Sequence, residues 1–460
     1  MTQPPPPDSV RAIVEAAIPD RPVDSISTDS TQRLIRAFEV LLADGTVLIL
    51  KLSPASLRQL RSEQWPVQSE VLVVEWLSQQ PFTQGETYAS KIRHGETSSG
   101  QSGSSAPLPR GTLAPYVPIL IKHSSSSARN STIYSLYQKP LGSPIASSAE
   151  TLTREERSAI EFQKGRLMRH LADHLAPNKR FGLPVTVLSH LPGAKDVHKT
   201  AAKRTETGFE GANSWGKAFH SLLEGILRDG EDLAVTMSYE RIRAMFHRFA
   251  NILDAVTTPR LVVCDAADDD VVLVTRSRPD PETKRETTPG SRTRIKVEQF
   301  LESENSEKFL AESGEGQGRE PTIRLTGLRD WSSCIFGDPL FAPAFSHPTP
   351  EFERGFHGRS HSYASVIEDQ QNAPHRLLLY ECYHAAVALV GQFYRPSTNS
   401  SEREITARRR LTAVLTKLEH ASRDGEGDMP PVKRPRRPSN EDWPSKKQKD
   451  DGSGKKRESP

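Results

Sequence analysis

Residues 260–274, RLVVCDAADDDVVLV, place four aspartates between two apolar runs that are rich in valine. Runs of this length and composition predict short buried strands, one on each side of the acidic segment. The aspartates are therefore expected in a tight loop between strand ends: Asp265, Asp268, Asp269 and Asp270. Loops held by a rigid scaffold commonly carry catalytic or metal-binding groups. From the aspartates alone, a solvated acidic turn is an equally good interpretation.

The spacing of the acids favours a catalytic interpretation. Asp265 and Asp270 are five residues apart, and a later apolar run, residues 323–328, is followed at once by Arg329 and Asp330. Kinases have a loop carboxylate, a second oxygen ligand five residues later and an aspartate after the next strand. The rest of the chain decides between this arrangement and the solvated turn.

Length and composition limit the class of protein. The 460 residues are enough for two or three domains or lobes. Hydrophobic residues make up 35% of the chain and the mean hydropathy is −0.57, so substantial segments are expected to be disordered. The net charge of +3 implies no polyanionic partner. Three widely spaced cysteines predict neither a disulfide framework nor a CxxC metal site.

The sequence predicts no targeting or membrane segment. Its first residues, MTQPPPPDS, do not resemble a signal peptide, and no apolar run approaches the roughly 18 residues of a membrane span. We therefore expect a soluble protein with no membrane partner, in the reducing environment of the cytoplasm or the nucleus.

The front of the chain alternates apolar and polar residues with a period of two. Residues 34–42 and 46–52 flank an Asp-Gly turn and predict a β-hairpin. Lys51 lies in the second strand, and Glu70 opens an apolar helix that follows. A lysine on a strand and a glutamate on the next helix form the ion pair that positions ATP phosphates in kinases. Each residue alone also fits an ordinary structural role.

A Pro/Gly break at residues 138–144 separates this strand-rich front from a helical back half, and we interpret it as the boundary between two lobes. In the back half, Thr153 and Glu156 predict a capping box at the start of a long helix. Trp215 is interpreted as a packing residue rather than a ligand contact. The segment 275–321 is flanked by strands, which indicates a hairpin loop lengthened by insertion.

The predicted fold class is α+β, with a small antiparallel β-rich N-lobe and a larger helical C-lobe. Four regions are predicted along the chain: 1–23 as an N-terminal lead with a short helix capped by Ser9, 24–140 as the N-lobe with a flexible insert at 82–113, 141–420 as the C-lobe with a flexible insert at 275–321, and 421–460 as a disordered basic tail.

Eight segments, in this order, carry a resemblance to a known family: AFEVLLADGTVLILKLS, SEVLVVEWLS, YVPILIKHSS, IYSLYQKPLGSPI, NKRFG, SWGKAFHSLLEGILRDGEDL, SYERIRAMFHRFANILDAVTTPRLV and GLRDWSSCIFGDPLF. The chain from about residue 24 to residue 395 resembles the fungal branch of the aminoglycoside phosphotransferase and choline kinase-like family. The resemblance implies a protein-kinase-like two-lobe fold. It also implies ATP between the lobes, with Mg²⁺ bridging its phosphates.

The resemblance assigns residues to the nucleotide. It implies that Lys51 contacts the α- and β-phosphates and that Glu70 orients Lys51. The backbone of Gln138, Lys139 and Pro140 would meet the adenine ring.

The resemblance also assigns residues to catalysis and metal binding. Asp265 would be the catalytic base that accepts the proton of a substrate hydroxyl. Asp270 and Asp330 would hold the metal ions, and Asp338 would support the helix that follows it.

Two departures from the family pattern affect this assignment. Members usually have His two residues before the base and Asn five residues after it, where this chain has Val263 and Asp270. Val263 offers no hydrogen bond to the loop, and a fourth carboxylate crowds the others. The turn predicted to bind phosphate, residues 25–30, has no glycine. Each departure is expected to lower activity by roughly ten- to hundredfold.

The C-terminal tail carries a net positive charge, whereas the rest of the chain has a net charge of about −2. Residues 431–460 contain ten Lys and Arg and five Asp and Glu, which gives the tail a net charge of +5. Residues 431–437 and 446–449 are spaced as in a bipartite nuclear localisation signal, which would bind a nuclear import receptor. A solvated disordered tail is the alternative. Nucleic acid is disfavoured as a partner, because Trp443 is the only aromatic residue among these charges.

Two functions follow from the sequence. The first is ATP- and Mg²⁺-dependent phosphoryl transfer to an unknown small-molecule hydroxyl, with weak activity because the catalytic motif is altered. The alternative is a catalytically inactive pseudokinase that serves as a scaffold for a nucleotide or a partner.

Overall fold

The computed structural model describes residues 7–28, 35–53, 59–63, 65–80, 113–124, 133–188, 211–276, 323–358 and 365–424. These ranges contain every single residue named above for nucleotide, metal or catalysis, but only residues 25–28 of the turn predicted to bind phosphate. Most of the two predicted inserts and of the basic tail, including the predicted nuclear signal, lies outside the described residues.

The N-lobe is a five-stranded antiparallel sheet with the strand order β1-β2-β3-β5-β4. Its strands are β1 Val23–Thr28, β2 Arg36–Leu42, β3 Val47–Leu52, β4 Leu120–Ser124 and β5 Tyr134–Gln138. The predicted hairpin is β2 and β3. Its turn has Gly45 at φ 82°, a left-handed conformation that glycine adopts without strain. Asp44 Oδ1 accepts a hydrogen bond from Thr46 N at 2.9 Å, which fixes the turn.

Helix α1, Pro7–Ala17, packs on this sheet. Val10 and Val14 are four residues apart and therefore share one helix face, where they join Phe38 of β2 in a buried cluster. The predicted N-terminal lead thus contributes to the core of the N-lobe. The helix begins two residues before Ser9, so Ser9 lies inside the helix rather than at its cap.

The segment predicted as a phosphate-binding turn, residues 25–30, is largely a strand. Ser25 to Thr28 belong to β1, where Thr28 lies opposite Phe38 of β2. Serine and threonine around the β-branched Ile26 suit a strand at the edge of a sheet. Such a strand does not need glycine. The connection from β1 to β2 falls in residues 29–34, outside the described residues.

Helix α2, Pro66–Ser78, lies between the sheet and the C-lobe. It is buried on nearly every face, as a helix with apolar residues all round must be. The Trp76 ring packs edge-on against Phe336 of the C-lobe, with ring centroids 5.4 Å apart. Because α2 begins at Pro66, Glu70 lies in its second turn rather than at its start.

The C-lobe is mostly helical. Its helices are α3 Arg154–Ala172, α4 Pro184–Val187, α5 Trp215–Asp232, α6 Tyr239–Asp254, α7 Pro350–His357, α8 Ala373–Tyr394 and α9 Ser400–Asp424. The predicted capping box of Thr153 and Glu156 is present at the start of α3. Helix α9 continues four residues into the stretch that was predicted to be disordered. Within the described ranges, no helix combines the length and the apolar character needed to cross a membrane.

Two small sheets in the C-lobe carry the acidic loops. Their strands are β6 Ser143–Pro144, β7 Arg260–Val263, β8 Val272–Arg276, β9 Ile323–Leu328 and β10 Cys334–Gly337. One sheet pairs β7 with β10, and the other has the order β6-β8-β9. The two apolar runs around the aspartates are thus strands, as predicted. Strands β8 and β9 are antiparallel neighbours, as the predicted hairpin requires, and the segment between them lies outside the described residues.

Ion pairs join the two lobes beside α2. The short turn Arg61–Glu63 leads into α2 and lies against the C-lobe helices. Arg61 N donates to Asp229 Oδ2 at 2.8 Å, and its guanidinium also pairs with the Asp229 carboxylate. The Arg395 guanidinium donates to both oxygens of Glu63 at 2.6 and 2.7 Å. The chain between β3 and α2 is therefore attached to the C-lobe.

The centre of the C-lobe is an aromatic cluster around Trp215, which is fully buried. Trp215 Nε1 donates to the Tyr380 hydroxyl at 2.7 Å, so its one polar atom has a partner. The Tyr380 hydroxyl and Arg376 Nε each donate to Asp338 Oδ2 at 2.8 Å. These contacts confirm Trp215 as a packing residue. They place Asp338 against helix α8, whereas the next helix along the chain from Asp338 is α7.

Candidate active site

The first element of the site is a buried ion pair between the lobes. Lys51 on β3 places its Nζ 2.5 Å from Glu70 Oε1 on α2, and the two side chains are 6% and 0% exposed. The position of Lys51 follows from the strand, and that of Glu70 follows from the packing of α2. Removing two charges from water is costly, so such a pair persists only where its geometry is well defined.

The C-lobe completes this contact with the turn after β9. Lys51 Nζ lies 3.4 Å from Asp330 Oδ1 and donates to Arg329 O at 3.1 Å. Trp331 N donates to Glu70 Oε1 at 3.1 Å. One lysine of the N-lobe thus meets α2 and the end of a C-lobe strand at a single point.

The charges at this point are unequal, because one ammonium faces two carboxylates. Burial opposes the charge on Lys51, but Asp330 and Glu70 outweigh it and raise the pKa of Lys51. Burial raises the pKa of Glu70 to about 7, although Lys51 acts to lower it. Lys51 is therefore charged at neutral pH, while Glu70 is near its midpoint. Glu70 Oε2 is buried and has no hydrogen-bond partner among the described residues.

Asp265 lies two residues beyond the end of β7, in the acidic loop. Its Oδ1 accepts a hydrogen bond from the hydroxyl of Ser333, the residue just before β10. Its carbonyl oxygen accepts from Asp268 N at 2.9 Å, which closes a turn of the loop. Val263, where the resemblance leads one to expect His, is fully buried in the core.

The four carboxylates of the acidic loop have different surroundings. Asp268 Oδ1 accepts from Asp270 N at 3.0 Å and so caps the end of the loop. Asp269 pairs with Lys164 of α3, whose Nζ lies 2.6 Å from Asp269 Oδ1. Asp270 is exposed. The crowding expected from the sequence is reduced, because one acid is neutralised by a lysine and another binds a serine.

Asp270 and Asp330 are the predicted metal ligands. Within the described part of the chain, no group of three or more His, Cys, Asp or Glu side chains is arranged to hold a metal ion. Mg²⁺ is commonly held by one or two carboxylates together with phosphate oxygens and water. Two aspartates are therefore a suitable donor set for Mg²⁺ that arrives with a nucleotide, and the assignment stays a prediction.

The linker between the lobes, residues 138–140, offers a ligand no free backbone N–H group. Gln138 N donates to Ile119 O at 2.9 Å and Lys139 N donates to Val47 O at 3.2 Å, so both N–H groups are engaged. Pro140 has no N–H. The predicted contact of this linker with adenine would therefore rest on carbonyl oxygens, and that contact stays a prediction.

Two residues of the site were missed by the sequence analysis. Ser333 is one of two consecutive serines after Asp330, and only the strand pairing shows which of them faces Asp265. Lys164 had a visible signal, because it lies on the same helix face as Ile160 and Met168, which are buried. A buried lysine within an apolar stripe requires a partner for its charge, and Asp269 is such a partner although its own side chain is half exposed.

A lysine on the third strand of an antiparallel sheet, a glutamate on the following helix and an aspartate after a C-lobe strand meet at one buried point. This is the arrangement in which kinases hold the phosphates of a nucleotide. The fold is protein-kinase-like.

The chain is similar in structure to solved structures of a putative kinase and of several phosphotransferases. A putative fructosamine-3-kinase from Thermobifida fusca has a TM-score of 0.44 and 12% identity, over 88% of this chain and 99% of that one. The gentamicin complex of APH(2″)-IIa has a TM-score of 0.44 and 11% identity, over 90% and 97%. A macrolide 2′-phosphotransferase from Brachybacterium faecium has a TM-score of 0.38 and 11% identity, over 89% and 98%. No protein-family model and no curated protein matches the sequence.

Proposed function

We propose that this chain is a phosphotransferase that moves the γ-phosphoryl group of ATP to a hydroxyl of a small molecule. The observation that carries the proposal is the buried contact of Lys51 with Glu70 and Asp330. A contribution to stability explains this contact poorly. A protein in which apolar residues of similar volume replace a buried ion pair is commonly as stable or more stable. A phosphate-binding role accounts for it, because the lysine then has a polyanionic ligand.

The reaction is a displacement at phosphorus. The acceptor oxygen forms a bond to the γ-phosphorus, and the bond from that phosphorus to the β,γ-bridging oxygen breaks, so that ADP leaves with the electron pair. The proton of the acceptor hydroxyl passes to the carboxylate of Asp265. Lys51 holds the α- and β-phosphates, and Glu70 orients Lys51. The residues of the chain thus bind ATP, align it with the acceptor and remove one proton from the acceptor hydroxyl.

Mg²⁺ would enter with the nucleotide. When bound, it would supply positive charge that neutralises the negative charge developing on the phosphate oxygens. Asp330 and Asp270 are the residues of this chain that would hold it, because hard cations prefer carboxylate oxygen. Asp330 is already fixed by Ser332 N, which donates to its Oδ1 at 3.0 Å.

We expect the enzyme to be slow. Val263 cannot support Asp265 by a hydrogen bond from its own strand, and the linker offers no free N–H from Gln138 to Pro140. The loss of one supporting contact at such a site commonly reduces activity by about ten- to hundredfold.

The proposal is tested with the full chain, Mg²⁺ and ATP labelled at the γ-phosphate. We expect slow release of labelled phosphate to water, which serves as the acceptor while the natural one is unidentified. In Asp265→Asn the release should fall by at least about a hundredfold, because the base is lost. Equal rates in the two proteins would refute a catalytic role for this site.

The alternative is a pseudokinase that binds a nucleotide or a partner without chemistry. The engaged N–H groups of the linker favour it, since they weaken the recognition of a base. It predicts no turnover that depends on Asp265. It also predicts an increase in the melting temperature with ATP and Mg²⁺ if a nucleotide is the ligand.

The basic tail supports a separate proposal about location. Residues 431–437 and 446–449 would bind a nuclear import receptor and direct the protein to the nucleus, whereas without such binding it would stay in the cytoplasm. A fluorescent fusion of the full chain, compared with one in which the basic residues of both clusters are replaced by alanine, tests this. Equal nuclear signal in both fusions would refute it.

A further inference from the structure

The Asp265 carboxylate receives a hydrogen bond from the strand opposite its own. Ser333 is the residue just before β10, and its hydroxyl donates to Asp265 Oδ1. Both residues are partly buried. The acid that the proposed function assigns as the base is thus oriented by a side chain about seventy positions away in the sequence.

The backbone places Ser333 for this contact. Strands β7 and β10 are antiparallel, with Cys334 opposite Val263. The pairing continues for one more residue, because Cys264 N donates to Ser333 O at 3.1 Å. Ser333 and the residue before Asp265 are therefore joined directly. Little backbone freedom therefore remains to be lost when the hydroxyl meets the carboxylate.

The turn that carries Ser333 is itself fixed. Ser332 N donates to Asp330 Oδ1 at 3.0 Å, and Cys334 Sγ donates to Trp331 O at 2.8 Å. Trp331 N in turn donates to Glu70 Oε1. Residues 330–334 therefore hold the acid that meets Lys51 at one end and the hydroxyl that meets Asp265 at the other.

Val263 cannot make this contact. It is fully buried and apolar, so the strand that leads to Asp265 supplies no hydrogen-bond donor at that position. A carboxylate without a donor can rotate about its side-chain torsions, and a base that is misplaced by about 1 Å can lose about a hundredfold in rate.

We infer that Ser333 is a positioning residue, which orients the Asp265 carboxylate in place of a side chain at position 263. The inference rests on the proposed function, since it gives Asp265 the role of the base. The hydroxyl acts through Asp265 and does not itself touch the nucleotide or the acceptor.

The test compares wild type with Ser333→Ala and Ser333→Thr in the release of phosphate from Mg·ATP to water. Ser333→Ala should lower kcat by about ten- to hundredfold and change KM by less than about threefold, because a positioning contact acts on the reacting geometry rather than on ATP binding. Ser333→Thr keeps a hydroxyl and should recover most of kcat. The matched control is Ser221→Ala on α5, which removes an exposed serine hydroxyl that donates to Lys217 O.

A double-mutant cycle separates positioning from a general structural effect. In the Asp265→Asn background, Ser333→Ala should cost no more than about twofold, because the group that it positions is already lost. Thermal unfolding of each variant identifies losses that come from misfolding.

Three results would overturn the inference. If wild type shows no Asp265-dependent turnover, the proposed function fails and the inference fails with it. If turnover depends on Asp265 but Ser333→Ala matches wild type, the inference alone fails. If Ser333→Ala lowers the rate equally in the Asp265→Asn background, Ser333 does not act through Asp265.

Discussion

At Lys51 a single ammonium group serves two carboxylates, and this imbalance determines how the site responds to pH. Lys51 Nζ is closer to Glu70 than to Asp330, yet the pKa of Glu70 is raised to about 7. The reason is burial, since Glu70 has no exposure to water. A ligand that binds Lys51 would change this balance, because it adds negative charge beside an acid near its midpoint.

The raised pKa of Glu70 predicts how stability depends on pH. A carboxyl whose pKa rises from 4.5 when unfolded to about 7 when folded stabilises the fold fully below pH 4.5. That stabilisation, about 3 kcal/mol, is lost as the pH rises through 7. The free energy of unfolding of wild type, measured with urea, should therefore fall between pH 5 and pH 8 because of this group. Glu70→Gln, which does not titrate, should flatten the curve.

A control distinguishes this effect from the titration of other groups. Glu75→Gln on the same helix changes a carboxyl that is only partly buried and that does not face Lys51 in the ion pair. Burial also raises the pKa of Glu75, so Glu75→Gln should flatten the pH curve, but less than Glu70→Gln does. If Glu70→Gln has the same pH dependence as wild type, Glu70 is not the titrating group.

At the scale of elements, helix α3 and the acidic loop are joined by Lys164. Its side chain is 6% exposed, while that of Asp269 is 50% exposed. Lys164 Nζ also lies 2.8 Å from Glu161 Oε1. The lysine therefore depends on its partners more than Asp269 depends on the lysine, since Asp269 can be hydrated if the pair is broken.

This asymmetry gives a prediction for two substitutions. Asp269→Asn leaves a buried ammonium with one carboxylate fewer and should lower the free energy of unfolding by about 1–3 kcal/mol. Lys164→Met removes the buried charge, keeps most of the volume and leaves an acid that water can reach. It should cost less than about 1 kcal/mol. Urea unfolding of both variants measures the difference, and a larger loss in Lys164→Met than in Asp269→Asn would contradict it.

At the scale of the whole molecule, the lobes are held together beside α2. Asp229 is buried and accepts hydrogen bonds from Arg61 N and from the Tyr394 hydroxyl. Since the turn with Arg61 leads into α2, this contact also determines where Glu70 lies. The ion pair of the site thus depends on a contact outside it.

Loss of Asp229 should loosen α2. Asp229→Ala leaves polar groups of both lobes without their acceptor and should lower the free energy of unfolding by about 1–3 kcal/mol. Hydrogen exchange of the amides in residues 66–78 should become faster. Asp232→Ala is the matched control, because Asp232 pairs with the same arginine but is 57% exposed. It should cost less than about 0.5 kcal/mol. Equal effects of the two substitutions would contradict the prediction.

Much of this arrangement could be predicted because its signals are local. The alternation around Lys51, the apolar runs around Asp265 and the capping box at Thr153 each follow from the period or spacing of neighbouring residues.

The sequence could not show that Ser333 faces Asp265, because strand register between β7 and β10 is a property of the folded chain. It also could not show that the N–H groups of Gln138 and Lys139 are engaged, because their acceptors lie on other strands or connections. Ser25 to Thr28 were assigned to a turn because hydroxyl residues suit both turns and edge strands.

The most direct test of the nucleotide site is calorimetry of Mg·ATP with wild type, Lys51→Met and the control Lys217→Ala, which removes an exposed lysine on α5. Thermal unfolding first confirms that each variant is folded. Wild type and Lys217→Ala should bind with the same affinity, and Lys51→Met should bind at least about tenfold more weakly, the loss expected for a charged contact to phosphate. Binding by Lys51→Met that equals wild type, or no binding by wild type, would contradict a nucleotide site between the lobes.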